Sequence, residues 1–292
     1  MNTTLNIRTV RSQVALLDSH VGEELWDAAK IFCAHLCNSY KSDDPIENNL
    51  DDGADTSESV VGRRSRIRAT MGLNLVSGKR LRGLKVLELG AGVGSLGMCA
   101  MALGAHEVLC TDYDNDVLEN LEFNLLHNRK AVCGVNVRDD DEAEEKLRLR
   151  SSKLDWRSFA ASDIQSAEWI DTNVDDCDDG QEEEGICFNP DIVLGSALIY
   201  SMEGALYCAD IVRYFLVEKR AKECWILQMP ERPGFDRFLL RLEHWGLSYE
   251  AFSIEPDVFD SAEHCMGKIS SNVDDFQLYC IWYDCSGDES TL

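Results

Sequence analysis

One local pattern, a strand followed by a glycine turn and a helix, constrains the fold of this chain more than any other feature. An apolar run at residues 84–89 predicts a short buried strand. Three glycines follow it at alternate positions: Gly90, Gly92 and Gly94. An apolar helix is predicted over residues 94–103. Glycines allow a ligand to approach the backbone closely, and the helix start offers unpaired N–H groups, so the pattern indicates a nucleotide-type site in an α/β sheet.

The spacing of the glycines separates two classes of ligand. A dinucleotide pattern, G-x-G-x-x-G, counted from Gly90 would need a glycine where Ser95 stands. Counted from Gly92 the pattern is completed by Gly97, but it then begins one dipeptide late after the strand. Measured from the strand, the spacing is E-x-G-x-G-x-G beginning at Glu88, which is the pattern of class I S-adenosylmethionine (SAM) sites. SAM is therefore the favoured ligand, and a dinucleotide stays open at this point.

The strong acidity of the chain is concentrated in three segments. The net charge of the 292 residues is −25. Residues 41–58, 139–145 and 168–184 hold 22 acidic residues and one lysine, whereas the remainder holds 31 acidic and 27 basic residues. Such blocks are typical of solvated loops, and the alternative is that they attract a basic partner. Acidic loops repel phosphates, so nucleic acid is disfavoured as a partner.

The cysteines and the hydropathy pattern bear on the cellular compartment. Twelve cysteines are scattered along the chain without a C-x-x-C pair, which disfavours zinc, and we predict no metal. The polar start at Met1 lacks the apolar region of a signal peptide, and no apolar run is long enough to span a bilayer. We expect reduced cysteines, no membrane contact and a cytoplasmic protein, with the nucleus as the alternative.

Strand and helix signals alternate from residue 84 onward. Predicted strands cover residues 84–89, 107–111, 131–137, 191–196, 224–229, 247–254 and 276–283. Predicted helices cover residues 21–37, 94–103, 115–128, 203–219 and 235–245. The alternation predicts an α/β fold, a Rossmann-like seven-stranded and mainly parallel sheet with helices on both faces. We assign residues 1–83 to an N-terminal helix with an acidic insertion, and residues 84–292 to the sheet domain with acidic inserts near 139–145 and 168–184.

An acidic residue ends the second predicted strand. Asp112 lies 20 residues after Gly92. A carboxylate at this position accepts hydrogen bonds from the ribose hydroxyls of an adenosine ligand. The alternative is that Asp112 only starts the next helix. The residue supports an adenosine ligand without separating SAM from a dinucleotide.

Five motifs in order resemble those of a known enzyme family. In chain order they are Gly22–Ala29 around Trp26, Leu87–Gly94, Thr111–Asp114 with Leu118–Asn128, Leu154–Trp156, and Asp191–Tyr200. Together they are similar to the seven-β-strand lysine methyltransferase-like family 16, from about residue 20 to the C-terminal strands. The resemblance implies a class I fold and SAM as cofactor.

The resemblance also implies roles for individual residues. Trp26 would pack near the cofactor, Asp112 would hold its ribose, and Trp156 beside Asp155 would bound its adenine. The turn residues and the fourth strand would supply the rest of the cofactor site: Glu88, Gly90, Ala91, Gly92, Gly94 and Ser196. For the two tryptophans, plain core packing is the alternative.

One position departs from the family pattern at the substrate side. The fourth-strand motif of the family ends in Asp-x-x-Tyr, whereas this chain keeps Tyr200 and has Ala197 in place of the acid. A carboxylate there would orient a lysine ammonium or help to remove its proton. The candidates for catalytic residues are therefore Tyr200, Glu203 and Glu231, with surface acids as the alternative for the two glutamates.

Three functional hypotheses follow. The first is a SAM-dependent methyltransferase that methylates a protein at lysine by direct in-line transfer. The second is a catalytically weakened SAM-binding interaction module, because Ala197 replaces the usual acid. The third is a methyltransferase for another acceptor, such as histidine, arginine or a small molecule.

Overall fold

A computed structural model describes residues 26–41, 78–133, 148–159 and 188–284. Seven strands form its sheet: β1 Lys85–Leu89, β2 Glu107–Asp112, β3 Leu149–Lys153, β4 Ile192–Ser196, β5 Glu223–Gln228, β6 Leu247–Ser253 and β7 Gln277–Tyr283. Their order is β3-β2-β1-β4-β5-β7-β6. The first five in that order pair in parallel, and β7 is antiparallel to both of its neighbours. This confirms the predicted Rossmann-like, seven-stranded and mainly parallel sheet.

Six α-helices accompany the sheet in the described residues: α1 Asp27–Lys41, α2 Ser95–Ala102, α3 Asn115–Cys133, α4 Met202–Arg213, α5 Phe235–His244 and α6 Pro256–Met266. A π-helical turn, Tyr214–Glu218, continues α4. Short 3-10 helices lie at Gly78–Leu81, Trp156–Phe159 and Val273–Asp275. None of these helices combines the length and hydropathy that a membrane span requires.

The helices cover both faces of the sheet, as predicted. Residues of α1, α2, α3 and α6 pack on one face, and residues of α4, α5 and the π-helical turn pack on the other. Alternate residues of β1 serve the two layers: Val86 belongs to the first, and Leu87 and Leu89 belong to the second. A strand buried on both faces has a continuous apolar sequence, which is why β1 was recognisable.

The third strand was predicted wrongly. Residues 131–133 are the last turn of α3, and the strand that pairs with β2 is Leu149–Lys153. Its sequence is Leu-Arg-Ser-Ser-Lys, which has no apolar period although its first four residues are buried. An edge strand of this composition gives no hydrophobic signal. Helix α6, which starts with proline at its first turn, was also not predicted.

Helix α1 is part of the same core as the sheet. Its residues Ile31, Phe32 and Leu36 are fully buried, and it contacts α6, α2 and the strands β4 and β5. Its first residue, Asp27, accepts hydrogen bonds from the backbone N–H and the hydroxyl of Ser270 at 2.9 and 2.8 Å. These contacts fix the N-terminal end of α1 against the loop that precedes β7.

Several sequence predictions fall outside the described residues. The start of the predicted helix, residues 21–25, is one of them. The acidic segments at 42–58, 139–145 and 168–184 are the others. The proposed division of the chain at residue 83 also stays a prediction.

Candidate active site

A cavity of about 420 Å³ opens at the C-terminal ends of β1, β2 and β4. The strand order reverses here, because the chain runs from β1 through β2 to β3 on one side and then returns to β4, which pairs with the other edge of β1. Such a switch point is where open α/β sheets bind ligands. The volume lies within the usual range of small-molecule sites, roughly 300–1,000 Å³.

The glycine turn forms the floor of this cavity. Gly90, Gly92 and Gly94 all have left-handed backbone conformations, with φ of 56°, 53° and 80°, which residues with a side chain rarely adopt. Gly90, Ala91 and Gly92 line the cavity. A Cβ on Gly90 would lie 2.9 Å from Leu198 Cδ2 and so would narrow the space above the turn.

Gly94 has a packing role instead. It does not line the cavity, and a Cβ there would lie 2.5 Å from Leu121 Cδ1 on α3. Helix α3 also holds the turn through Asn124, whose buried side-chain amide donates to the carbonyl of Val93 at 3.1 Å. This contact was not predicted, although Asn124 lies within the motif that resembled the family.

Asp112 lies at the end of β2, next to the glycine turn. Its Oδ2 accepts the N–H of Gly92 at 3.1 Å, and its Oδ1 accepts the N–H groups of Tyr113 and Asp114 at 2.8 and 3.3 Å. Burial raises the pKa of Asp112, and the backbone N–H groups oppose this rise. The carboxylate is thus held by the turn and lines the cavity, and its role toward a ribose stays a prediction.

Two tryptophans line the cavity, and their contacts with a cofactor stay a prediction. Trp26, which precedes α1, is 41% exposed. The Trp156 indole lies close above the turn, since its Cζ2 is 3.6 Å from the place of a Cβ on Gly90. Asp155 also lines the cavity, but its carboxylate is bound by Arg157, with Nε–Oδ1 at 2.9 Å and Nε–Oδ2 at 3.0 Å.

Glu88 lies beneath the turn and does not line the cavity. Its Oε2 accepts the N–H of Gly97 at 2.8 Å, and the Cys110 thiol also contacts the carboxyl group. Burial raises the pKa of Glu88 to about 8, although the hydrogen bonds from Cys110 and Gly97 lower it. Glu88 therefore fixes α2 on the sheet, and it is protonated at neutral pH.

This buried carboxyl should make the stability of the protein fall as the pH rises. Glu88 has a pKa of about 8 in the folded state against an ordinary value of 4.5. Between these values the folded chain holds a proton that the unfolded chain has released, so the free energy of unfolding decreases with rising pH. In Glu88→Gln this contribution is absent, and we expect a smaller decrease.

Urea unfolding at pH 5.5 and pH 8.5 measures the difference. The wild type should lose more stability across this interval than Glu88→Gln. Equal losses in the two proteins would contradict the buried, protonated state of Glu88.

The loop after β4 lines the cavity next to the glycine turn. Ser196 ends the strand and lines the cavity, and Ala197 follows it with a φ of 52°, which is unusual for a residue with a side chain. Gln228 at the end of β5 fixes this loop from below. Its Oε1 accepts the N–H of Ile199 at 3.1 Å, and its Nε2 donates to the carbonyl of Ile199 at 2.9 Å. This role of Gln228 was not predicted.

Two of the three predicted catalytic candidates line the cavity, and one does not. Tyr200 lines the cavity and is 47% exposed, and burial raises its pKa. Glu203, in the first turn of α4, also lines the cavity. Glu231 is exposed and is not part of the cavity wall. Arg232 is on the wall, so the loop after β5 contributes an arginine rather than an acid.

A family model described as "Lysine methyltransferase" matches residues 9–177. No curated protein matches significantly. Solved structures with a similar fold include a TehB-like SAM-dependent methyltransferase from Corynebacterium glutamicum, at 18% identity, 77% coverage of this chain, 96% coverage of that chain and a TM-score of 0.39.

Two further solved structures are of methylating enzymes that are named for different acceptors. A ribosomal protein L11 methylase from Lactobacillus delbrueckii subsp. bulgaricus has 13% identity, coverages of 71% and 75%, and a TM-score of 0.39. A precorrin-6y C5,15-methyltransferase from Geobacter metallireducens has 12% identity, coverages of 82% and 99%, and a TM-score of 0.38. At these values the three structures give no indication of this chain's acceptor.

Proposed function

Since the chain belongs to the lysine methyltransferase family of SAM-dependent enzymes, we propose that it methylates a lysine side chain of a protein. The single observation that carries the proposal beyond the family is the cavity at the β1–β4 switch point, which joins the glycine turn and Asp112 to the loop of Tyr200. The glycine turn and the end of β2 suit a cofactor, and the loop after β4 suits an acceptor. The protein and lysine specificity rests on the family.

The residues of the glycine turn and of the end of β2 fit SAM. Gly90 leaves room above the turn that a side chain would fill, and the N–H groups of the turn lie beside the acidic end of β2. Asp112 would accept the ribose hydroxyls, Trp156 would cover the adenine, and Trp26 would close the site from the side of α1. SAM supplies, when bound, a methyl group on a positively charged sulfur.

The loop after β4, which contains Tyr200, would position the acceptor. A lysine ammonium must lose a proton before its lone pair can take up the methyl group, while the electrons of the broken C–S bond stay on sulfur. Two hydrogen bonds between the Gln228 side chain and Ile199 hold the loop of Tyr200, so this loop can align an amine with the cofactor. Alignment of the two reacting groups supplies a large part of the rate in such transfers.

Tritiated SAM and a cell lysate test the proposal. We expect label in protein, and acid hydrolysis should recover it as methyl-lysine. Label in histidine, arginine or a small molecule would instead favour a methyltransferase for another acceptor. Binding of SAM by calorimetry without any labelled product would favour the interaction module.

The conformation of Ala197 gives a second test of the proposal. Aspartate and asparagine adopt the left-handed conformation more readily than alanine does, so Ala197→Asp should fold at least as well. We expect this variant to methylate lysine roughly tenfold faster or more, because the family's acid is restored beside the acceptor.

Ala197→Asn is the matched control, because it fits the same backbone without the charge. Its rate should stay near that of the wild type. No gain in Ala197→Asp, with SAM affinity unchanged, would contradict the family's geometry at this position.

A further inference from the structure

Four carboxylates stand on the cavity wall: Asp112, Asp114, Asp155 and Glu203. Three of them already have a backbone N–H or a cation as partner. Asp112 accepts three backbone N–H groups, Asp114 accepts two N–H groups at the start of α3, and Asp155 is bound by Arg157. In the described part of the chain, Glu203 is the wall carboxylate that has neither a cation nor a backbone N–H as partner.

Glu203 is held by a tyrosine one helical turn further along α4. The Tyr207 hydroxyl donates to Glu203 Oε1 at 2.8 Å, and Tyr207 also lines the cavity. Residues four apart on a helix lie on the same side, so both face the cavity mouth. The hydrogen bond raises the pKa of Tyr207, so its hydroxyl stays a donor near neutral pH. The described residues show no hydrogen bond to the second oxygen, Oε2.

The two arginines that line the cavity leave the Glu203 carboxylate available to a cationic ligand. Arg157 on the wall is bound to Asp155, and Arg232 forms no ion pair with Glu203 in the described residues. The exposed rings of Tyr113 and Tyr200 line the same cavity. A carboxylate and aromatic rings that line one cavity together attract an organic cation, because the rings add cation–π attraction to the charge.

We propose that Glu203, oriented by Tyr207, binds the ammonium group of the acceptor at the cavity mouth and compensates in part for the carboxylate that Ala197 lacks. This inference rests on the proposed function, because it assumes a cationic amine as the acceptor. It differs from the family pattern in the source of the charge, which comes from the first turn of α4 instead of the loop after β4. Glu203 is thus an acceptor-binding residue, and Tyr207 is a positioning residue.

Binding of a small lysine mimic tests the inference without turnover. The probe is Nα-acetyl-lysine methylamide, and the uncharged probe is Nα-acetyl-norleucine methylamide, each titrated by NMR into protein saturated with S-adenosylhomocysteine. The wild type should prefer the lysine probe. Glu203→Gln should weaken lysine-probe binding roughly tenfold, because a hydrogen bond to a charged group is lost, and should leave norleucine-probe binding unchanged.

Two further variants separate the role of Tyr207 from a general effect on folding. Tyr207→Phe should weaken lysine-probe binding less than Glu203→Gln does, and it should have no added effect in the Glu203→Gln background. The matched control is Glu243→Gln on α5, where an exposed glutamate accepts a hydroxyl from Tyr249 away from the cavity. It should bind both probes as the wild type does.

Equal lysine-probe binding by the wild type and Glu203→Gln would overturn the inference. An equal loss in Glu243→Gln would also overturn it, because the effect would then not belong to the cavity mouth. Failure of the proposed function has a different signature: the wild type would give no methyl-lysine in the lysate assay, whatever its preference between the two probes.

Discussion

Replacing Asp112 by alanine is expected to lower the affinity for SAM by about 100-fold. Asp112 is the wall carboxylate held against the glycine turn, and it would accept both ribose hydroxyls. Hydrogen bonds to a charged group contribute roughly 1.5–3 kcal/mol each, and 1.4 kcal/mol corresponds to a factor of ten in affinity. The variant also leaves the N–H groups of Gly92, Tyr113 and Asp114 without this acceptor, so the turn should loosen.

Calorimetry with SAM and S-adenosylhomocysteine measures the affinity, and thermal unfolding measures the change in stability. Asp116→Ala is the charge-matched control, because Asp116 is exposed on the first turn of α3 and does not line the cavity. It should bind SAM as the wild type does. If Asp112→Ala kept wild-type affinity while remaining folded, the assignment of the ribose site would be wrong.

Replacing Gly97 by alanine is expected to destabilise the protein by about 3 kcal/mol. Gly97 faces β1 and β2 from the first turns of α2. A Cβ there would overlap the Cys110 Sγ and would lie 2.6 Å from Glu88 Oε2. Because both neighbours are fully buried, α2 would have to move away from the sheet, and the glycine turn at its start would move with it. SAM affinity should fall together with stability.

Urea unfolding compares this variant with Gly97→Ala in a Cys110→Ala background. Removing the Cys110 thiol makes room for the new Cβ, so the added cost of Gly97→Ala should be smaller in that background. Gly83→Ala is the control for a glycine without near neighbours. It has a φ of 77° and nothing within 4 Å of an added Cβ, so about 1 kcal/mol is expected. Equal costs of Gly97→Ala with and without the thiol would contradict the proposed overlap.

The parts of the fold that could be predicted are those whose signal is local. Strand β1 is buried on both faces, so its apolar run is continuous in the sequence. The glycines must be glycines because the backbone there is left-handed. From these local requirements the α/β class of the sheet, the glycine turn and the position of Asp112 at the end of β2 could be predicted.

Residues whose role depends on distant partners could not be assigned correctly. Glu88 was predicted to contact the cofactor, but it accepts the N–H of Gly97 beneath the turn, because successive strand residues point to opposite faces. Gln228 fixes a loop 29 residues away in the chain. The polar strand β3 is recognisable only through its pairing with β2. Contacts between such distant residues have no signature in the sequence around either partner.

The sequence by itself determined the α/β fold, the glycine turn and the family, because each depends on residue types at fixed short spacings. The tertiary structure alone decided which residues share the cavity. It placed Trp26, Asp112, Trp156, Tyr200 and Glu203 around one cavity, while Glu231 and Glu88 lie outside it. The physical reason is that the sheet order brings the ends of β1, β2 and β4 together, and this order depends on strand pairing across the whole domain.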